Sequence, residues 1–99
     1  MRKLIRDKLD LVISAKELEV VRSTSEEYLM LITEKLYEEL EELENSNFDD
    51  IDEYADVIEV LITIAKTKGI SKEDIWARRI EKLYEKGGFS KGLVLNRTK

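Results

Sequence analysis

The sequence predicts an all-α domain of four helices, and three observations carry that expectation. No proline interrupts the 99 residues, glycine occurs only four times, and apolar side chains recur at three- and four-residue spacing along most of the chain. A chain this short builds one core, alone or shared with another copy. The absence of cysteine and histidine removes thiol nucleophiles, Ser-His-Asp triads, zinc ribbons and imidazole bases. Carboxylate, amine, guanidinium and hydroxyl chemistry remains, and carboxylates favour hard cations such as magnesium or manganese.

Taken in order, a first helix is expected over residues 2–15, with Leu4, Ile5, Leu9, Val12 and Ile13 on one side. Residues 19–22, rich in β-branched side chains between polar flanks, form a candidate short strand. The second helix starts at Thr24 or Ser25, where Thr24-Ser25-Glu26-Glu27 fits a capping box. Its apolar stripe is Leu29, Ile32, Leu36, Leu40 and Leu43, and the turn Asn45-Ser46-Asn47 ends it. A third helix begins near Asp49 or Asp50 and is apolar over most of its circumference. One stripe (Ile51, Tyr54, Ala55, Ile58, Leu61, Ile62, Ala65) is expected to pack on the second helix, leaving Val57, Val60 and Ile64 on another flank. Gly69 suits the position past its end, and Ser71-Lys72-Glu73-Asp74 resembles a capping box for a fourth helix that stops at Gly87-Gly88. That helix carries Ile75, Trp76, Ile80, Leu83 and Tyr84; Trp76 and Tyr84 fall on the apolar spacing, which favours core or subunit contact over base stacking, while Tyr37 and Tyr54 are candidates to line a base pocket. Residues 92–95 are a second candidate strand, able to pair with 19–22. The two apolar flanks of the third helix predict a homodimer or a dimer of dimers with the site near the subunit boundary.

Charge separates along the chain. Twelve of the 22 acids fall between Glu34 and Glu59 against the single base Lys35, while four bases lie in residues 1–8 and seven in residues 78–99. An acidic middle with basic ends disfavours nucleic-acid binding, which wants one contiguous basic face. It suits a bound cation together with a phosphorylated small molecule. The longest nearly apolar stretch, residues 57–65, is interrupted by Glu59 and is too short to cross a bilayer. Charge also returns too early in the N-terminal residues for a secretory signal, so no membrane association and a cytoplasmic location are expected.

Two acidic pairs stand out from the general acidity. Glu39 and Glu42 are three apart near the end of the second helix, as are Glu53 and Asp56 near the start of the third. In an antiparallel hairpin, levels match where residue numbers sum to a constant, and both 42 with 53 and 39 with 56 give 95. At 100° per residue, Glu39 lies about 60° from the middle of the expected stripe, at the core edge. Glu53 continues the line of Val57, Val60 and Ile64. A solvated Glu-rich face is the plain alternative; the matched register and the scarcity of nearby bases favour a cation site.

These residues also carry a family resemblance. Glu38-Glu39-Leu40-Glu41-Glu42 followed by Glu53-Tyr54-Ala55-Asp56 resembles the E-E-x-x-E … E-x-x-D signature of the all-α nucleoside triphosphate pyrophosphatases. This superfamily includes MazG, dimeric dUTPase and phosphoribosyl-ATP pyrophosphatase. Lys3-Leu4-Ile5-Arg6-Asp7-Lys8 and Lys86-Gly87-Gly88-Phe89 resemble the opening and closing segments of a small MazG-like subgroup. The resemblance implies a MazG-type bundle completed by oligomerisation, with Glu39, Glu42, Glu53 and Asp56 as magnesium ligands. Glu38 would bind a further metal or orient water. It also implies that Lys82 and Lys86 hold substrate phosphates, helped by Lys3, Arg6 and Lys8. Lys86 stands where related sequences often have arginine, and the link between the acidic motifs is short for the superfamily.

The activity expected on that basis is magnesium-dependent cleavage of a nucleoside triphosphate, or related nucleotide, between the α and β phosphorus atoms. Removal of non-standard nucleotides is the expected use. Magnesium would neutralise phosphate oxygens and activate water, with Glu38 or Glu53 taking or orienting its proton. The alternatives are an enzyme restricted to phosphoribosyl-ATP and a non-enzymatic acidic helical interaction module.

Overall fold

The longest helix starts where the sequence places its capping box. In the computed structural model, which describes residues 2–16 and 18–96, the Thr24 hydroxyl accepts the Glu27 N–H at 3.2 Å. The Glu27 carboxylate accepts the Thr24 N–H at 3.0 Å. The described residues form four α-helices: α1 (Asp10–Ser14), α2 (Ser25–Asn45), α3 (Ile51–Thr67) and α4 (Lys72–Lys86). Asp50 caps α3 by accepting the Asp52 N–H at 2.9 Å, and Ser71 caps α4 by accepting the Asp74 N–H at 3.0 Å. The α2/α3 turn is tight: Asn47 and Phe48 both take positive φ, and the Phe48 N–H returns to the Leu43 carbonyl at 3.0 Å. Tyr54 braces it by donating its hydroxyl to the Phe48 carbonyl at 2.9 Å.

The antiparallel α2/α3 hairpin is the main packing unit, and α4 touches only α3 among the helices. The buried apolar side chains are Leu31, Ile32, Leu43, Val57 and Val60. Both helices are rotated from the expected arrangement. Leu29 and Leu40 of the expected α2 stripe are exposed, and the buried arc of Leu31, Ile32, Glu39 and Leu43 centres about 60° round the helix, close to Glu39. On α3 the line of Val57 and Val60, with half-buried Glu53 and Ile64, faces inward. Ile51, Tyr54, Ile58 and Leu61, expected against α2, are exposed. A helix apolar almost all round gives no unique inward face, so the partner helix and the N-terminal segment decide it.

Three further expectations are corrected. Residues 2–6 are not helical: Arg6 is extended at φ −65° and ψ 143°, and only a 3₁₀ turn (Asp7–Leu9) and α1 follow. Ion pairs to α2 and α3 hold this segment open against its helical spacing. Residues 19–22 and 92–95 form no strands; among the described residues there is no sheet. Leu93, Val94 and Leu95 are largely exposed, and an isolated two-stranded ribbon without a covered face is marginal in water. Trp76 and Tyr84 are exposed within the chain, so neither is a core residue of α4. Two of the C-terminal bases, Arg97 and Lys99, lie outside the described residues.

Candidate metal centre

The hairpin gathers five carboxylates of the two acidic motifs into two groups that share Glu39. Near the C-terminal end of α2, one oxygen from each of Glu38, Glu39 and Glu42 lies within 4.8 Å of the others. A second set, Glu39, Glu53 and Asp56, meets the same 4.8 Å condition and spans both helices. Glu39 belongs to both sets and is only 5% exposed, an unusual burial for a glutamate. Glu38, Glu53 and Asp56 are half-buried and Glu42 is exposed, so the cluster runs from the helix seam outward. Helical i, i+3 spacing and antiparallel register produce this convergence.

Local cations compensate part of the charge. Lys35 pairs with Glu39 at 3.2 Å and Glu38 at 3.5 Å, Lys3 reaches Glu38 at 3.6 Å, and Arg6 pairs with Asp56 at 2.6 Å. The expected scarcity of bases is therefore corrected, because two arrive from the N-terminal segment and one from a turn earlier on α2. Five carboxylates still face three cations, a formal excess of two negative charges.

Hydrogen bonding leaves that excess concentrated inside. Glu39 Oε2 and Glu53 Oε2 are buried without a partner, and a buried unpaired carboxylate oxygen is costly. Burial pushes the Glu39 carboxyl above its ordinary range, with Glu42 and Asp56 adding to the rise while Lys35 opposes it. Loss of water also pushes Glu53 up, followed by the charges of Glu42, Glu39 and Asp56. The Arg6 guanidinium moves further up, chiefly through its hydrogen bond to Asp56. An oxygen-lined site with two excess negative charges and two unpaired buried oxygens fits a hard divalent cation.

The expected phosphate-binding lysines are distributed differently. Lys3 and Arg6 lie beside the carboxylates, whereas Lys8 is exposed in the 3₁₀ turn. Lys82 and Lys86 are exposed on α4, which joins the hairpin at the end of α3 remote from Glu53 and Asp56. Along α3 alone, Asp56 is about 16 Å from that junction. Tyr54 is engaged at the turn and Tyr37 is exposed, while Trp76 stacks under Arg79 at 4.1 Å. The spacing of Lys35 to Glu38 and Glu39 would have disclosed the α2 ion pairs. No sequence signal links Arg6 to Asp56, 50 positions away.

No protein-family model, curated protein or solved structure matches this chain. The all-α architecture and the acidic clusters able to hold a metal ion stand on the structure itself. No helix among the described residues is long and apolar enough to cross a membrane.

Proposed function

We propose that this chain is a magnesium-dependent nucleotide pyrophosphohydrolase of the MazG-like kind, acting in the cytosol to split a nucleoside triphosphate or related nucleotide into a monophosphate and pyrophosphate. The observation carrying this reading is the convergence of Glu39, Glu53 and Asp56 around two buried, unpartnered carboxylate oxygens. Glu39, Glu42, Glu53 and Asp56 would hold magnesium, or manganese. When bound, such an ion supplies charge neutralisation for phosphate oxygens and activation of water. Glu38, paired with Lys3 and Lys35, would orient water or accept its proton. Glu53, with its raised affinity for protons, is the other candidate base.

The working unit in this reading is a homodimer or a dimer of dimers. The chain alone exposes 9176 Å², whereas a folded monomer of its mass exposes about 5,800 Å². Its radius of gyration is 17.6 Å, against about 13 Å for a compact domain of this length. A second copy covering the outer face of α3 and the apolar side of α4 accounts for both excesses. It would also be able to supply Lys82 and Lys86, exposed on α4, to the carboxylate cluster.

The test is a pyrophosphate-release screen over ordinary and modified nucleotides with added magnesium, using wild type, Glu39→Gln and Asp56→Asn. Release by wild type and its loss in both variants is the expected result. No release from any nucleotide by folded, metal-loaded protein refutes the enzyme, and the acidic interaction module then replaces it. Release from phosphoribosyl-ATP alone narrows the substrate to that compound. Sedimentation checks the assembly, and a one-chain mass at all concentrations refutes the dimer.

A further inference from the structure

The N-terminal segment is fastened across the acidic hairpin by its cations. Arg2 binds Glu27 at 2.5 Å and Lys3 approaches Glu38 at 3.6 Å, both on α2, while Arg6 binds Asp56 of α3 at 2.6 Å. Leu4 and Ile5 between them are half-buried. Residues 2–6 of the segment belong to no helix, and Arg6 is extended, its carbonyl accepting the Leu9 N–H at 3.0 Å. Of its anchors, Lys3 and Arg6 fall on residues of the carboxylate cluster, and Arg6 falls on one of the three acids that converge across the helices. Beneath Lys3 lies an open cavity of about 370 Å³ lined by Arg2, Lys3, Lys35, Leu31, Glu34 and Glu38.

We propose that Lys3 and Arg6 are internal counter-cations of the metal site: they occupy Glu38 and Asp56 when no divalent cation is bound, compete with it for those carboxylates, and pass to phosphate oxygens when an anion enters with the metal. This rests on the metal-dependent reading above and adds a coupling between metal, anion and the N-terminal segment. Physically, a divalent ion at Glu39, Glu53 and Asp56 places like charge beside the Arg6 guanidinium. That repulsion weakens both the metal and the Arg6–Asp56 pair. A phosphate chain reverses it by giving the guanidinium a new charged, bidentate partner. The cavity beside Glu38, with Arg2, Lys3 and Lys35 in its wall, offers room for the phosphate that Lys3 would take up. The site thus binds metal weakly alone and more tightly together with a polyphosphate.

Calorimetric titration with Mn2+ tests the competition. Arg6→Gln should bind Mn2+ about tenfold more tightly than wild type, the effect of removing one positive charge roughly 6 Å from a divalent ion in water-like surroundings. Arg6→Lys should stay near wild type, and Lys3→Gln should show a smaller gain, its pair being longer. In wild type, Mn2+ should raise amide exchange across residues 2–6. With Mn2+ saturating, the non-hydrolysable α,β-methylene analogue of ATP should bind Arg6→Gln less tightly than wild type. Opposite signs for metal and analogue are the signature, since a merely structural Arg6 would weaken both. Equal or weaker Mn2+ binding by Arg6→Gln, unchanged exchange in residues 2–6, or unchanged analogue binding overturns the proposal while leaving the metal site standing. If neither wild type nor Arg6→Gln binds Mn2+ while both keep their helical circular dichroism, the metal reading itself falls.

Discussion

Along the α2/α3 hairpin, Ile32, Leu43, Val57 and Val60 are each no more than 9% exposed, whereas no residue of α4 is buried. Both regions have well-formed caps and apolar spacing. They differ in what their apolar faces meet: the hairpin closes on itself, and α4 leaves Ile75, Trp76, Ile80 and Leu83 in the open. Local sequence makes a helix, but a facing surface makes it a stable one. The carboxylates sit in the self-sufficient region, where a rigid seam can hold Glu39 buried. The bases of α4 sit in the region whose apolar side chains are left exposed.

The sharpest way to break this comparison uses two nearby positions on α3. Val60→Asp puts an unpaired charge into the seam and should cost about 3–5 kcal/mol, read as collapse of the urea transition. Ile58→Asp, at a position 53% exposed, should leave the helical circular dichroism intact but reduce the sedimenting mass to one chain. If Ile58→Asp instead unfolds the protein as Val60→Asp does, seam and outer face form a single cooperative core.

Next in size is the response to metal. At a magnesium concentration of about 100 times its dissociation constant, wild type should gain roughly 2.7 kcal/mol. Glu39→Gln should gain almost none and should match or exceed wild type in stability without metal, because it removes a buried, incompletely paired charge. The acid response has a definite sign. Glu39 and Glu53 hold protons more tightly folded than unfolded, so just above the ordinary glutamate range the native state binds more protons and stability falls as pH rises. From these groups, metal-free wild type should gain stability as pH falls towards that range, and Glu39→Gln should gain less. A steeper gain in Glu39→Gln would contradict the raised affinity of Glu39.

What the sequence discloses follows the range of the forces involved. The capping box at Thr24, the Asp50 cap and the Asn45-Ser46-Asn47 turn depend on residues within a few positions, and the helix ends there match expectation. The register that brings Glu39 together with Asp56 needs only a short antiparallel link and is readable; Glu42 and Glu53, expected level with each other, fall in different carboxylate groups. The rotation of α3 is not, because Ile51, Tyr54 and Ile58 are as apolar as Val57 and Val60 and only the packed hairpin chooses between them. The extended N-terminal segment is equally hidden: Leu4, Ile5, Leu9 and Val12 have helical spacing, but Arg2, Lys3 and Arg6 are drawn to acids 25 to 50 positions away.

The smallest effects separate the regions most finely, since Thr24 and Ser71 perform the same local task. Each hydroxyl accepts the N–H three residues on, at 3.2 Å and 3.0 Å respectively. Thr24→Ala should lower global stability by about 1 kcal/mol, because α2 cannot fray there without loosening the seam. Ser71→Ala loses a comparable bond, but in monomeric Ile58→Asp protein α4 has no covered face to transmit the loss. Its effect should appear as faster amide exchange over residues 72–75, with the urea midpoint nearly unchanged. If wild type assembles as proposed, Ser71→Ala should instead lower the midpoint by an amount closer to that of Thr24→Ala, because α4 would then fold against a second copy. Equal midpoint shifts for Ser71→Ala in both backgrounds would mean that α4 gains no support from assembly.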